Sequence, residues 1–301
     1  MLAIVIPYYK STFFKETLMS LANQTNKNFK VYIGDDASPE NPKLFLKEFQ
    51  GTFNFEYHRF ETNLGSTSLV KQWERCIDFV KDELWIMILG DDDYLEFNAV
   101  EAFYNNHKMF NTNSHVVKFA SRLINQERNE ISKSFTHPMW EKTTTAFYKK
   151  INELTRSSLS EYVFNINSYK KYKFNNFPLA WYSDDMAWIE FSEDKLIFCI
   201  NESNVYIRNS NENISGRTDN LLKKEEAKLL FYKKLAKKHL CKFSYSQKSQ
   251  ILFRLETIFK YNNQLTLKNK MYIGWLIIKN GLIYAFIKFV GRRFFKFKNS
   301  Y

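Results

Sequence analysis

The chain has 301 residues, 45% hydrophobic and 18% aromatic, with a formal net charge of +12. That length supports one large domain or a domain with an appendage, and 8 Gly with 5 Pro exclude a linker-rich or disordered polypeptide. Cys76, Cys199 and Cys241 form no CxxC pair and the five histidines show no HxH or HExxH spacing, which argues against zinc, disulfide-framework and histidine-metal classes and fits a reducing compartment.

The opening "MLAIVIPYYK" has no basic leader and its apolar run is cut by Pro7, so it reads as a first strand over residues 2–6 and not as a signal peptide. Helical spacing follows in "STFFKETLMSLANQT", where Phe14, Leu18 and Leu21 share a face. "FKVYIGDDAS" is a second strand ending in two Asp, and "PENPKLFLKEF" a helix with prolines near its start. "FNFEYHRF" alternates as a third strand, and "STSLVKQWERCIDFV" is a helix with Ser66 or Thr67 placed to cap it. "ELWIMIL" is a fourth strand, ended by Asp91-Asp92-Asp93.

This β-α-β-α-β-α-β order predicts an α/β fold with a mostly parallel sheet flanked by helices. Beyond it, "SHVVKFAS" reads as another strand, residues 141–175 as largely helical, "SDDMAWIEFS" as a helix capped by Ser183, and "KLIFCI" and "SNVYIR" as two short strands. From about residue 220 the pattern is helical to the end.

Ligands bind open α/β sheets outside the carboxyl ends of the strands. Three polar clusters fall there: Pro7-Tyr8-Tyr9, Asp35-Asp36-Ala37-Ser38 and Asp91-Asp92-Asp93. Adjacent carboxylates repel, so the triplet reads either as a solvated acidic turn that caps the next helix or as an anchor for Mn²⁺ or Mg²⁺ and a diphosphate.

The combination "IVIPYY", "VYIGDDAS", "NLGSTSLVKQWERC" and "LGDDDYL" resembles glycosyltransferase family two, closely over residues 1–110 and more loosely over 175–220. The resemblance implies a GT-A fold and an inverting, metal-dependent transfer from a nucleotide-diphospho-sugar, UDP-linked by expectation. It implies that Pro7 and Tyr8 flank the nucleotide base, with Tyr9 standing where many members have Asn. Asp36 would accept from base or ribose, with Asp35 beside it. Asn63 and Gly65 would form the turn near the nucleotide, and Lys71 and Arg75 would approach the diphosphate unless they are only an exposed helix face. Asp92 or Asp93 would be the direct metal ligand and Asp91 the nucleotide-side contact.

The second acidic cluster, Asp184-Asp185, resembles the motif that supplies the family's base, with Asp185 first and Asp184 next. An inverting transfer needs a carboxylate to take the acceptor proton. Trp181 and Trp188 flank it, as a sugar platform or as core. In "YIRNSNENISG", Arg208, Ser210 and Asn213 form a late loop that would close over the diphosphate.

After Glu256 there is no acidic residue, and nine basic ones follow: Lys260, Lys268, Lys270, Lys279, Lys288, Arg292, Arg293, Lys296 and Lys298. This apolar, aromatic and basic tail reads as amphipathic helices on an anionic membrane, with packing on the catalytic domain or a homo-oligomer interface as alternatives. The domain reading is a catalytic domain over 1–218, in which residues 1–110 bind the nucleotide and residues 111–218 the acceptor, then a helical region over 219–301. The expected setting is peripheral, on the cytoplasmic face of the plasma membrane, with a lipid-linked or surface glycan as acceptor and no nucleic acid. A nucleotidyltransferase on a related sheet, a silent sugar-nucleotide binder and a nucleic-acid-binding protein are the competing readings; the last is permitted by the basic tail but leaves the acidic rim unexplained.

Overall fold

The computed structural model describes residues 1–209, 216 and 219–294. They form two compact units, Met1–Asn220 and Leu221–Tyr301.

The first unit opens with β1 (Leu2–Tyr8), α1 (Phe14–Ala22), β2 (Phe29–Asp35), α2 (Lys43–Glu48), β3 (Asn54–Arg59), α3 (Leu69–Ile77) and β4 (Trp85–Ile88). A two-residue β5 (Tyr94–Leu95), α4 (Ala99–Phe110), β6 (Val116–Asn125), β7 (Glu130–Ile131), β8 (Trp140–Glu141) and α5 (Thr143–Ile151) follow. β9 (Tyr162–Asn165), α6 (Ile166–Tyr172), α7 (Ser183–Phe191) and β10 (Ile197–Asn209) complete it. The sheet runs β3-β2-β1-β4-β9-β6-β10-β5, with β7 on β6 and β8 on β10. β1 to β4 are mutually parallel, β9 runs antiparallel to both neighbours, and β10 is parallel to β6.

β1 is apolar without alternation because helices cover both sheet faces. Leu2, Ile4, Ile6 and Tyr8 join the core that holds α1 and α4, whereas Ala3 and Val5 join the core that holds α3 and α7. The four parallel strands carry their carboxyl ends to one edge, so the β1–α1 loop lies beside the segment that follows β4.

Four local expectations change. Ser68, not Ser66 or Thr67, caps α3, its side chain accepting from the Lys71 amide. Ser183 is not a cap but the first residue of α7; its hydroxyl donates to the carbonyl of Asn175. Residues 141–175 contain α5 and α6, but β9, too short for its apolar run to show a period, lies between them in the middle of the sheet. The two short strands near 200 are one, β10, whose register shifts between Ile200 and Asn204; that bulge broke the pattern.

The second unit contains α8 (Leu221–Lys234), which passes through a π turn (Leu235–His239), then α9 (Tyr245–Tyr261), α10 (Leu267–Lys279) and α11 (Ile283–Phe294). Ser244 and Gln247 form a capping box at α9, and the Thr266 side chain caps α10. Among the described residues no helix is long and apolar enough to cross a membrane.

α3 lies close against β2 at Gly34, where a β-carbon would lie 2.3 Å from the Cys76 sulfur. We expect Gly34→Ala to lower stability by about 1–3 kcal/mol in urea unfolding. Cys76→Ala in the same chain should recover some of that loss, and strictly additive effects would refute the close packing.

Candidate active site

A cavity of about 320 Å³ opens at the carboxyl edge of the sheet. Of the residues expected from sequence, Pro7, Tyr9, Asp91, Asp92, Asp93 and Arg208 line it. Lys10, Trp73, Ser158, Leu159 and Ser160 line it as well and carry no sequence signal of their own.

The triplet is held as a turn by other segments of the chain. Asp91 Oδ2 accepts from the amides of Tyr9 and Lys10 at 2.7 and 2.8 Å. Asp93 Oδ1 accepts from the Arg208 amide at 2.9 Å, and its Oδ2 accepts from the Ser160 hydroxyl at 2.5 Å. Ser160 Oγ also accepts from the Gly90 amide, and the Thr17 hydroxyl donates to the Asp93 carbonyl. Burial first, and then the charge of Asp92, push Asp91 and Asp93 up to about 7. A β-carbon on Gly90 would lie 3.0 Å from Asp92 Oδ1 and 3.1 Å from Asp93 Oδ2, so these two oxygens converge where glycine leaves room.

A hard divalent cation fits this donor set. The oxygens are carboxylate, they converge, and their site disfavours uncompensated negative charge. Among the described residues no group of three or more His, Cys, Asp or Glu is arranged to hold a metal. Such an ion would therefore take Asp92 and Asp93 and complete its shell with phosphate oxygens and water, the habit of Mg²⁺.

Tyr8, Asp35, Asp36, Asn63, Gly65, Lys71 and Arg75 lie outside this lining, and most are held by other residues of the chain. Tyr8 is buried against Phe14, ring centroids 4.6 Å apart, and its hydroxyl donates to the Glu40 carbonyl. Asp35 accepts from the Ser38 amide, the Tyr57 hydroxyl and Arg59. Asp36 accepts from the amides of Leu64 and Gly65 at 2.7 and 2.9 Å and from Arg75. It clamps the turn that Asn63 stabilises through the Ser66 amide. Arg75 also donates to Gln72 and to the Thr62 carbonyl, and lies 3.7 Å from the Phe60 ring centre. Its guanidinium is a brace for Asp36, while Lys71 is exposed on α3. Arg208 belongs to β10, not to a loop. Its guanidinium packs on Phe13 and donates to Glu16, Gln126 and the Asp92 carbonyl. Ser210 and Asn213 lie outside the described residues.

A second cavity, of about 280 Å³, holds the other acidic pair. It shares Leu69, Trp73, Ser158 and Leu159 with the first, and Lys150, Trp181, Tyr182, Asp184 and Asp185 are among the other residues that line it. Trp188 is not there; it stacks on Tyr162 in the core at 4.3 Å. Leu179, Ala180 and Tyr182 all have left-handed backbones, with φ of 57°, 54° and 68°. Such strain costs about 1–3 kcal/mol per residue and clusters at functional loops.

Asp185 is buried, and both its oxygens accept from Lys150 Nζ, at 2.7 and 2.6 Å. Burial opposes the charge of Lys150, but Asp185 and Asp184 hold its proton affinity above the ordinary value. Burial and the charge of Asp185 push Asp184 up to about 6. The wall between the cavities rests on a buried cluster. Burial would raise Glu161, but Arg156, at 2.6 Å, and Lys118 hold it below the usual range.

Comparison with known proteins gives the family and the fold. Residues 3–177 match the family described as Glycosyl transferase family 2. The chain belongs to that family. It is a glycosyltransferase, with a fold of the GT-A type. No protein with a curated description matches it by sequence. Among solved structures, S. aureus TarS 1–349 in complex with UDP-GlcNAc superposes with a TM-score of 0.63 at 15% identity, covering 92% of this chain and 79% of that one. TarS 1–349 in complex with UDP gives 0.61 at 17% identity, covering 97% and 81%. The longer TarS chain gives 0.62 at 16% identity, covering 94% of this chain and 49% of its own.

The folded value for Asp184, about 6, lies above the unfolded value of about 3.9. The native state therefore binds the extra proton between them, and this group's contribution to stability falls as pH rises through that window. Asp184→Asn should match the wild-type melting temperature below about pH 4 and exceed it progressively up to about pH 6, then by a constant margin. A difference that does not change with pH would refute the assignment.

Proposed function

We propose that the enzyme transfers a sugar, with inversion, from a nucleotide-diphospho-sugar to a hydroxyl of a glycan. The single observation that carries this is the pair of adjoining cavities. One is floored by the Asp91–Asp93 turn and the other holds Asp184 and Asp185, with Leu69, Trp73, Ser158 and Leu159 common to both. A donor diphosphate at the first and an acceptor hydroxyl at the second would meet across that shared wall.

The donor is proposed to be UDP-linked, since the TarS structures of similar fold were solved with UDP-GlcNAc and with UDP. Asp92 and Asp93 would hold Mn²⁺ or Mg²⁺, which would supply positive charge against the departing diphosphate. Asp91 holds the Tyr9 and Lys10 amides in place. On the acceptor side, Asp185 takes the hydroxyl proton as the oxygen attacks the anomeric carbon, the bond to the diphosphate breaks, and the nucleoside diphosphate leaves. Lys150 orients Asp185 through both oxygens. Trp181, on the strained loop, is the proposed platform for the acceptor ring.

The acceptor is proposed to be a lipid-linked or surface glycan, and the setting peripheral, on the cytoplasmic face of the plasma membrane. The acid-free basic sequence after Glu256 supports attraction to an anionic surface.

Asp185→Asn should keep nucleotide binding while transfer falls by about 10²–10⁴-fold; surviving transfer would move the base elsewhere. The donor site is tested by thermal unfolding with UDP, GDP, dTDP or CMP, with and without Mn²⁺. A nucleotide at about 100 times its Kd adds about 2.7 kcal/mol. We expect one nucleotide to stabilise the protein in a Mn²⁺-dependent manner, and Asp92→Ala to remove the effect. No response to any nucleotide would overturn the donor reading.

A further inference from the structure

We infer that one face of the α10–α11 hairpin is the surface that seats the protein in the headgroup layer of an anionic bilayer. This deepens the peripheral setting proposed above, and it depends on that reading for the choice of compartment but not on the chemistry of sugar transfer.

α10 buries Ile273, Leu276 and Ile277, and Phe289 of α11 packs against its Gly274. Leu267, Met271, Trp275 and Ile278 follow at intervals of four, four and three residues, so they form one stripe along α10. Each is more than half exposed. α11 adds Ile283, Tyr284 and Ile287, also each more than half exposed. Seven large apolar side chains on two adjoining helices make a patch that water does not favour.

Charge decides what covers it. Lys268 and Lys279 are exposed on α10, and the Lys279 ammonium lies 4.8 Å from the Trp275 ring centre. Nothing in the sequence from 257 to 301 is acidic. A second copy would bring like charges together across the apolar stripe. Nucleic acid would take the lysines and leave Met271, Ile278 and Ile287 in water. A bilayer with anionic headgroups uses both kinds of residue. The apolar chains reach the acyl boundary, Trp275 and Tyr284 sit at its edge, and the lysines meet lipid phosphates. Among the described residues no helix is long and apolar enough to cross a membrane, and the inferred hairpin lies in the plane of the interface.

The test is co-sedimentation of the full chain with phosphatidylcholine vesicles that contain or lack phosphatidylglycerol. Binding is expected only with phosphatidylglycerol, and it should weaken with salt. Lys268→Glu and Lys279→Glu should each reduce it at least about fivefold. Met271→Glu/Ile278→Glu alters two exposed side chains, so it should fold, keep the UDP thermal shift and lose vesicle binding. Bromine-labelled acyl chains should quench wild-type fluorescence, and Trp275→Phe should remove that quenching. Equal vesicle binding by the Met271→Glu/Ile278→Glu chain, or no binding by the wild type, would overturn the inference. So would a wild-type dimer that this double variant converts to monomer, which would make the face a self-interface. A missing UDP response with intact vesicle binding would instead overturn the donor reading alone.

Discussion

Two of the three successive carboxylates after β4 are strongly desolvated, and the rest of the site is arranged around that cost. Burial, and then the charge of Asp92, push Asp91 and Asp93 toward neutrality. They are held in place by backbone amides from the β1–α1 loop and β10 and by the Ser160 hydroxyl. The pairing of β1 with β4 makes this possible, because parallel neighbours deliver their following loops to the same edge. Amides and a hydroxyl carry only partial charges, and Asp93 stays well above the usual carboxylate range despite them. A cation bridging to a diphosphate would bring the full charge that lets these carboxylates ionise together.

The same economy of charge runs through the wall between the cavities. Glu161 is fully buried and holds Arg156 and Lys118, which anchors the segment that carries Ser158, Leu159 and Ser160. Lys150, which is partly exposed, and the buried Asp185 form a second pair, on α5 and α7. Buried ion pairs contribute little net stability, yet removal of one partner leaves a stranded charge and is costly. Their effect here is geometric: they orient Asp185 and fix the segment that forms the cavity wall. The left-handed residues at 179, 180 and 182 add backbone strain at the same place.

The acidic clusters look alike in sequence but behave differently in the fold. Asp35 and Asp36 also end a strand at the ligand edge, yet their oxygens are taken by Ser38, Tyr57 and Arg59 and by the Leu64–Gly65 amides and Arg75. They brace the turns that shape the rim. Arg75 and Arg208, expected at the diphosphate, each hold a carboxylate and lie over a ring, and Arg208 also lines the first cavity.

By itself the sequence determined the α/β alternation, the apolar strands and the positions of the Asp clusters at strand ends. These are local properties: the period of burial and the residue at which it stops. The motif order also carried the family. Only the tertiary structure decided that β9 enters the sheet centre, that Lys150 meets Asp185 from 35 residues away, and that Ser160 joins the Asp turn. It also decided which carboxylates brace the fold and which line a cavity. Partners of a charge are set by distance in space, and a polar residue's spacing along the chain carries no record of what will fold against it.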